Sequence, residues 1–280
     1  MTEPEWKKYL ADFNEGLGVV YERFMLNGYF ERLMRREWIG SVLEAPLFGM
    51  AGVSGINSVC FAEKGCRVTL MDDDAERLEG IRRIWQRLAA PVDLRLAHGF
   101  HVLPFEDAKF DLVWNFAALW HVQDVPDLLR EMVRVSRKLV FVSMPNRYQV
   151  GYLLRKHLLD KDFFDRVDES WVSIRRIKKQ LLASGARIVD EGVLDVPPWP
   201  DTCMPAGEFL SRLGIRSTRL QKWFSDDAGW QWSTMDYYTG ADPSLRERVE
   251  KYAWLDKAAL PWTVKSVWAH HHYVLARVGR

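Results

Sequence analysis

The chain has 280 residues, 48% hydrophobic and 28% charged, which supplies a sizeable core and excludes wholesale disorder. Its 39 Lys and Arg against 38 Asp and Glu leave a net charge of +1, no electrostatic footprint for nucleic acid or an anionic membrane. Cys60, Cys66 and Cys203 are too few and too scattered for a disulfide framework or a zinc site. With no signal-peptide pattern at Met1–Trp6 and no apolar run long enough to span a bilayer, a cytoplasmic protein is expected.

In chain order, residues 5–37 read as helices, with Leu17, Val20, Phe24 and Met34 on an apolar face. Ser41–Ala45 reads as a strand, and the turn-rich stretch from Pro46 to Gly55 as a loop. A helix follows to Lys64, ended by Gly65. Arg67–Met71 is a second strand, closed by Asp72-Asp73-Asp74. Asp73 with Glu76 resembles a capping box for a helix carrying Leu78, Ile81, Trp85 and Leu88. Val92–Ala97 and Phe110–Asn115 are predicted strands. Pro126 stands in the first turn of a helix through Val135, and Leu139–Met144 is a fully apolar strand. Strands alternating with helices in this way predict a mostly parallel sheet covered on both faces.

Beyond Pro145 the rhythm loosens. A helix is predicted over Trp171–Ser184 and a strand over Arg187–Leu194. Pro197-Pro198-Trp199-Pro200 then stops regular structure. Residues 199–262 read as an aromatic-rich insertion holding Trp223, Trp230, Trp232, Trp254 and Trp262, before a last strand over Val264–Val278. The insertion suits a lid over an apolar pocket, or a homodimer surface.

A strand ending in Glu44, a turn bearing Gly49, Gly52 and Gly55, a helix, and a strand ending in Asp72 form a nucleoside-binding unit. The glycines let backbone approach a ligand, a helix start offers free N–H donors, and an acid after the second strand can accept both ribose hydroxyls. An ordinary βαβ unit with solvated acids is the plainer reading. His121, just after the fourth strand, sits where an imidazole could take a proton, or where it could simply brace the turn. Within the last strand, His270 and His272 should share one face and His271 the other. With no neighbouring acid or cysteine in the sequence to complete a set, a polar patch beside the substrate pocket is expected and a metal is not.

Residues 103–122, Leu-Pro-Phe-Glu-Asp-Ala-Lys-Phe-Asp-Leu-Val-Trp-Asn through Leu119-Trp120-His121-Val122, resemble the strand-four region of class I S-adenosylmethionine-dependent methyltransferases. Val42-Leu43-Glu44 and Val68–Asp72 resemble that family's first two motifs. The resemblance covers residues 41–145 and is nearest to small-molecule enzymes of the quinone-biosynthesis type. It implies a doubly wound, seven-stranded Rossmann-like sheet whose last strand inserts antiparallel beside the fifth. Residues 1–40 would form an N-terminal helical cap, 41–198 the cofactor-binding core, 199–262 the substrate-side insertion and 263–280 the last core strand.

It further implies S-adenosylmethionine as cofactor, held by Glu44, Gly49, Gly52, Gly55, Asp72, Gly99, Phe100, Asn115 and Phe116. A small aromatic or hydrophobic acceptor would take the methyl group. Trp114, Trp120 and Tyr21 offer ring faces to a sulfonium. Two features depart from the pattern: Pro46 and Phe48 stand where the family has its first glycines, and Gly99-Phe100 stands where an acid meets the adenine amino group. A non-catalytic nucleoside-binding module is the alternative. A dehydrogenase would need Gly-x-Gly-x-x-Gly in the first loop, which is lacking.

Overall fold

The computed structural model describes residues 5–47, 52–159, 161–199 and 231–279. Seven strands form one sheet in the order β3-β2-β1-β4-β5-β7-β6. They are β1 (Ser41–Glu44), β2 (Arg67–Asp72), β3 (Asp93–Leu96), β4 (Phe110–Phe116), β5 (Ser136–Pro145), β6 (Ala186–Leu194) and β7 (His271–Val278). The first five pair in parallel, and β7 runs antiparallel between β5 and β6. The chain order returns through β1 to β4, so β1 and β4 flank the point where the winding reverses and a crevice opens at their carboxyl ends.

Both faces of the central strands β1, β4, β5 and β7 are largely buried, which is why these strands read as apolar runs, whereas the edge strands β3 and β6 are partly exposed. Val42, Leu112, Trp114, Leu139, Phe141, Tyr273 and Leu275 pack on one face with α2 (Gly16–Arg36), α3 (Val59–Ala62) and α4 (Ala75–Arg87). Their strand neighbours Leu43, Val113, Val140, Val142, Val274 and Ala276 pack on the other with α5 (Val125–Val135), α6 (Val150–Leu154), α7 (Lys161–Phe164) and α8 (Ile174–Ala183). Asp111, in the Phe-Asp-Leu-Val run, ties three strands together at the amino edge. It accepts from Gly40 N–H at 2.9 Å and from Arg137 Nη2 at 2.7 Å.

Several boundaries differ from expectation, among them the start of β5, which is Ser136 rather than Leu139, and that of α8, which is Ile174 rather than Trp171. The helix predicted from Gly55 is mostly turn, with only Val59–Ala62 helical. Strand β2 runs on to Asp72, so the cap of α4 is Asp74, not Asp73: its side chain accepts from Arg77 N–H at 3.0 Å. The last strand starts at His271 rather than Val264. Pro261 opens a short helix over Trp262–Lys265, and turns fill the interval to Ala269.

Residues 200–230 of the predicted insertion, with Trp223 and Trp230, lie outside the described residues, as does Cys203. The rest of the insertion contains the short helices Thr234–Tyr238, Leu245–Glu250 and Trp254–Lys257. Leu245, Val249 and Ala253 pack with Val20, Tyr21 and Phe24 of α2. No helix among the described residues is long and apolar enough to cross a membrane.

Candidate functional site

Glu44 closes β1 and is buried. It accepts from Ser58 Oγ at 2.7 Å, and Ser58 Oγ in turn receives the indole N–H of Trp114 at 3.2 Å. Burial pushes the Glu44 carboxyl up to about 8, against the bond from Ser58 and the nearby Arg23 guanidinium, which favour ionisation.

Gly49 lies outside the described residues; Gly52 and Gly55 are both buried. Gly52 has a φ of +74°, and a Cβ there would stand 2.6 Å from Glu15 Oε1 and 2.6 Å from Val19. The start of α2 therefore lies directly on the glycine loop. Glu15 Oε1 accepts from Val53 N–H at 2.8 Å and pairs with Arg23 Nη2 at 2.5 Å, while Glu15 Oε2 accepts from Thr234 N–H at 3.1 Å. Arg23 also donates to Asn57 Oδ1. This buried network joins the N-terminal helix, the loop and the insertion. Sequence reading missed it, because its members have no shared period and residues 15 and 234 are 219 apart.

Asp72 closes β2. Its Oδ1 accepts from Asp74 N–H at 2.8 Å and faces Arg77 Nη2 at 3.3 Å, which fixes the carboxylate and leaves Oδ2 as further acceptor capacity. Burial pushes this acid up to about 6, opposed by Arg77. The loop after β3 starts beside it, with Ala97 N–H donating to the Asp72 carbonyl at 2.7 Å.

Gly99, at φ +115°, and the buried Phe100 follow. The Leu-Pro-Phe stretch is held from α5, another contribution missed in sequence. Glu131 Oε2 accepts from Leu103 N–H at 2.9 Å, and Arg134 donates to the carbonyls of Leu103 at 2.9 Å and Phe105 at 2.8 Å.

At the end of β4, Asn115 is buried and donates its amide to the carbonyls of Ala45 at 3.3 Å and Pro46 at 3.0 Å, bracing the start of the loop after β1. Phe116 packs its ring against His271, with centroids 4.6 Å apart. The three proposed ring faces are engaged elsewhere. Trp114 is enclosed by Phe30, Phe61 and Phe141, Tyr21 donates to Asp256, and Trp120 packs on Phe163. Large aromatic rings around strands buried on both faces go first to filling the core.

His121 stands on the turn Leu119–His121, exposed at one edge. Its ring lies 5.7 Å from Trp120 and 6.4 Å from Phe163. Partial desolvation, with the Arg77 guanidinium nearby, holds its pKa below the ordinary histidine value. The packing favours bracing over proton transfer. His121→Gln is expected to lower stability by about 1 kcal/mol and to leave turnover nearly unchanged. Thermal unfolding and steady-state rates measured together check this; a loss of about a hundredfold in turnover at unchanged melting temperature would instead make it a general base.

The strand alternation expected for the three histidines fails at His270, which precedes β7. His270 Nδ1 lies 3.1 Å from Asp195 Oδ2, and His271 also faces Asp195, at 3.6 Å. His272 is turned toward Tyr148 and Trp262, with centroids 6.3 and 5.7 Å away. Burial holds it down at about 4, hence neutral. The acid that the sequence did not offer nearby comes from the end of β6, with Glu22 of α2 beside it.

Comparison with known proteins bears on this arrangement. Residues 49–142 match the family described as methyltransferase domain. No curated protein sequence matches the chain. Among solved structures, magnesium protoporphyrin IX methyltransferase from Synechocystis PCC 6803, with bound SAH, is similar at 11% identity over 98% of this chain and 93% of that one, TM-score 0.56. A chain from the Haloferax volcanii complex of the Trm112 methyltransferase activator with its candidate methyltransferase is similar at 14% identity over 100% of both, TM-score 0.53. The [4+2]-cyclase SpnF is similar at 15% identity over 90% of this chain and 81% of that one, TM-score 0.50. At such identities the likeness is one of fold.

Proposed function

We propose that the chain is a class I S-adenosylmethionine-dependent methyltransferase whose acceptor is a small aromatic or otherwise apolar molecule bound where the end of β5 meets the start of β7. The observation that carries the acceptor class is an apolar rim beside His272. Tyr148, Val150, Trp262 and Val267 are all exposed there. They form one neighbourhood, since Val150 N–H donates to the Val267 carbonyl and both Tyr148 and Trp262 touch the His272 ring. Exposed apolar side chains gathered at a crevice mouth suit an apolar ligand better than a charged one.

In this reading the cofactor lies along the carboxyl ends of β1 and β2. Asp72 accepts the ribose hydroxyls, the loop at Gly99-Phe100 covers the base, and the backbone near Gly52 and Gly55 approaches the amino-acid end. Glu44 and Asn115 shape that loop from below, and Phe116 separates the cofactor from the acceptor side. Methyl transfer is an in-line displacement at a carbon already activated by the sulfonium. The chain's work is therefore to align the two reactants and exclude water.

The test is transfer of labelled methyl from S-adenosylmethionine into a fractionated cell extract. Label is expected in the small, organic-soluble fraction. Label in protein or nucleic acid would overturn the acceptor class, and retained cofactor binding without any transfer would favour the binding-module alternative. In the same assay Asp72→Ala loses charge-assisted hydrogen bonds of about 1.5–3 kcal/mol, so cofactor affinity should fall roughly tenfold to a hundredfold. Unchanged affinity in calorimetry would remove Asp72 from the ribose site.

A further inference from the structure

Three elements distant in sequence meet beside Phe116: α2, the end of β6 and the start of β7. Glu22, Asp195 and His271 come together there, the first half-buried and the others buried, each offering a ligand atom within 4.8 Å of the other two. His271 Nδ1 lies 3.6 Å from Asp195 Oδ2 and 3.8 Å from Glu22 Oε2. Those separations are long for hydrogen bonds. They approach the edge of a tetrahedron whose corners lie about 2.0–2.2 Å from a central ion, roughly 3.3–3.6 Å.

We propose that Glu22, Asp195 and His271 bind a divalent first-row cation of the zinc or manganese kind, with a coordination position left open toward the acceptor. One imidazole and two carboxylates are a donor set that such ions accept, and three protein ligands with a free position are the arrangement of a reactive rather than a purely structural site. The surroundings hold the donors in place. The His271 ring is packed against Phe116. Behind Asp195, His270 Nδ1 stands at 3.1 Å and its Nε2 lies 3.3 Å from the Trp199 carbonyl, an outer partner of the kind that orients a ligating carboxylate.

Asp195 itself is 1% exposed, and its carboxylate faces both imidazoles, His270 at 3.1 Å and His271 at 3.6 Å. Its backbone adopts φ +63°, a conformation that a non-glycine residue holds only where the surroundings impose it.

The ion's use as a docking point for an oxygen or nitrogen atom of the acceptor rests on the methyl-transfer reading; its binding does not. The experiment is calorimetric titration of the chelator-treated full chain with zinc chloride and, separately, manganese chloride, without cofactor. One ion per chain is expected, with a dissociation constant of about 10 μM or tighter for at least one metal. Glu22→Gln, at a partly exposed position, and His271→Gln should each weaken it at least roughly tenfold. Cofactor affinity, measured on the same samples, should stay within about threefold of the wild type, which shows that the variants are folded. The proposal is overturned if neither metal gives saturable binding up to about 1 mM, or if folded Glu22→Gln and Asp195→Asn titrate like the wild type. Loss of cofactor binding by the wild type, with the ion still bound, would count against the cofactor site alone.

Discussion

Replacing Arg23 by methionine is expected to cost about 3–5 kcal/mol of folding stability, because it leaves the buried Glu15 carboxylate without its counter-charge. The pair is almost fully enclosed, with side chains 3% and 0% exposed, so solvent does little to screen the loss. Methionine keeps much of the apolar stem, which separates the missing charge from a simple cavity. The remaining donors to Glu15, the N–H groups of Val53 and Thr234 and the Thr234 hydroxyl, are neutral dipoles and only partly compensate a full charge. Urea midpoints of the wild type, Arg23→Met and the double variant with Glu15→Gln check this. The double variant should recover part of the loss, since a neutral amide no longer needs a cation. A loss below about 1 kcal/mol in the single variant would show that water reaches the pair.

The second large effect is a pH dependence from Glu44. Its folded pKa of about 8 stands above the ordinary value of 4.5, so the folded protein holds a proton that the unfolded chain has released. Stability from this group is complete below about pH 4.5 and falls as pH rises toward 8, by at most about 1.4 kcal/mol per pH unit. Asp72, raised to about 6 from 3.8, adds a fall of the same sign confined to lower pH. His272, held at about 4 against an ordinary 6.5, adds a rise of opposite sign that is over by about pH 7, so the interval from pH 7 to 8 isolates Glu44. Glu44→Gln should remove most of the decline there, and its urea midpoint should overtake that of the wild type at the alkaline end. Parallel curves for the two proteins would mean that Glu44 is ionised throughout this interval.

Much of the sheet was legible in the sequence because a strand buried on both faces must be apolar at nearly every position, as Leu112–Trp114 and Leu139–Val142 are. Glu44 and Asp72 stood out because a carboxylate directly after such a run marks the point where the chain leaves the core. What was illegible has a common physical origin. The start of β7 was misjudged because Trp262–Trp268 is as apolar as a strand, yet Pro261 fixes a backbone suited to a helix start and Asn146 Nδ2 holds the Ala269 carbonyl at 2.9 Å in the turn that follows. The Glu15–Arg23–Thr234 network and the Glu22–Asp195–His271 group are formed by tertiary folding alone. No local spacing announces that residues 22, 195 and 271 share a corner. Trp114 was misread for a related reason: its ring's partners, Phe30 and Phe141, come from elements on either side of it in sequence.

The lacing of the loop after β3 to α5 has a consequence for how a ligand meets this protein. Arg134 and Glu131, three residues apart on one turn of α5, grip Leu103 by its N–H and carbonyl and Phe105 by its carbonyl. The conformational freedom of that segment is therefore lost when the chain folds, not when a nucleoside arrives, and the binding free energy is spared the cost of ordering it. In the proposed reading, where the base lies against this loop, the shape it meets is a property of α5, and discrimination between one base and another would be set by side chains on a helix that the base need never touch.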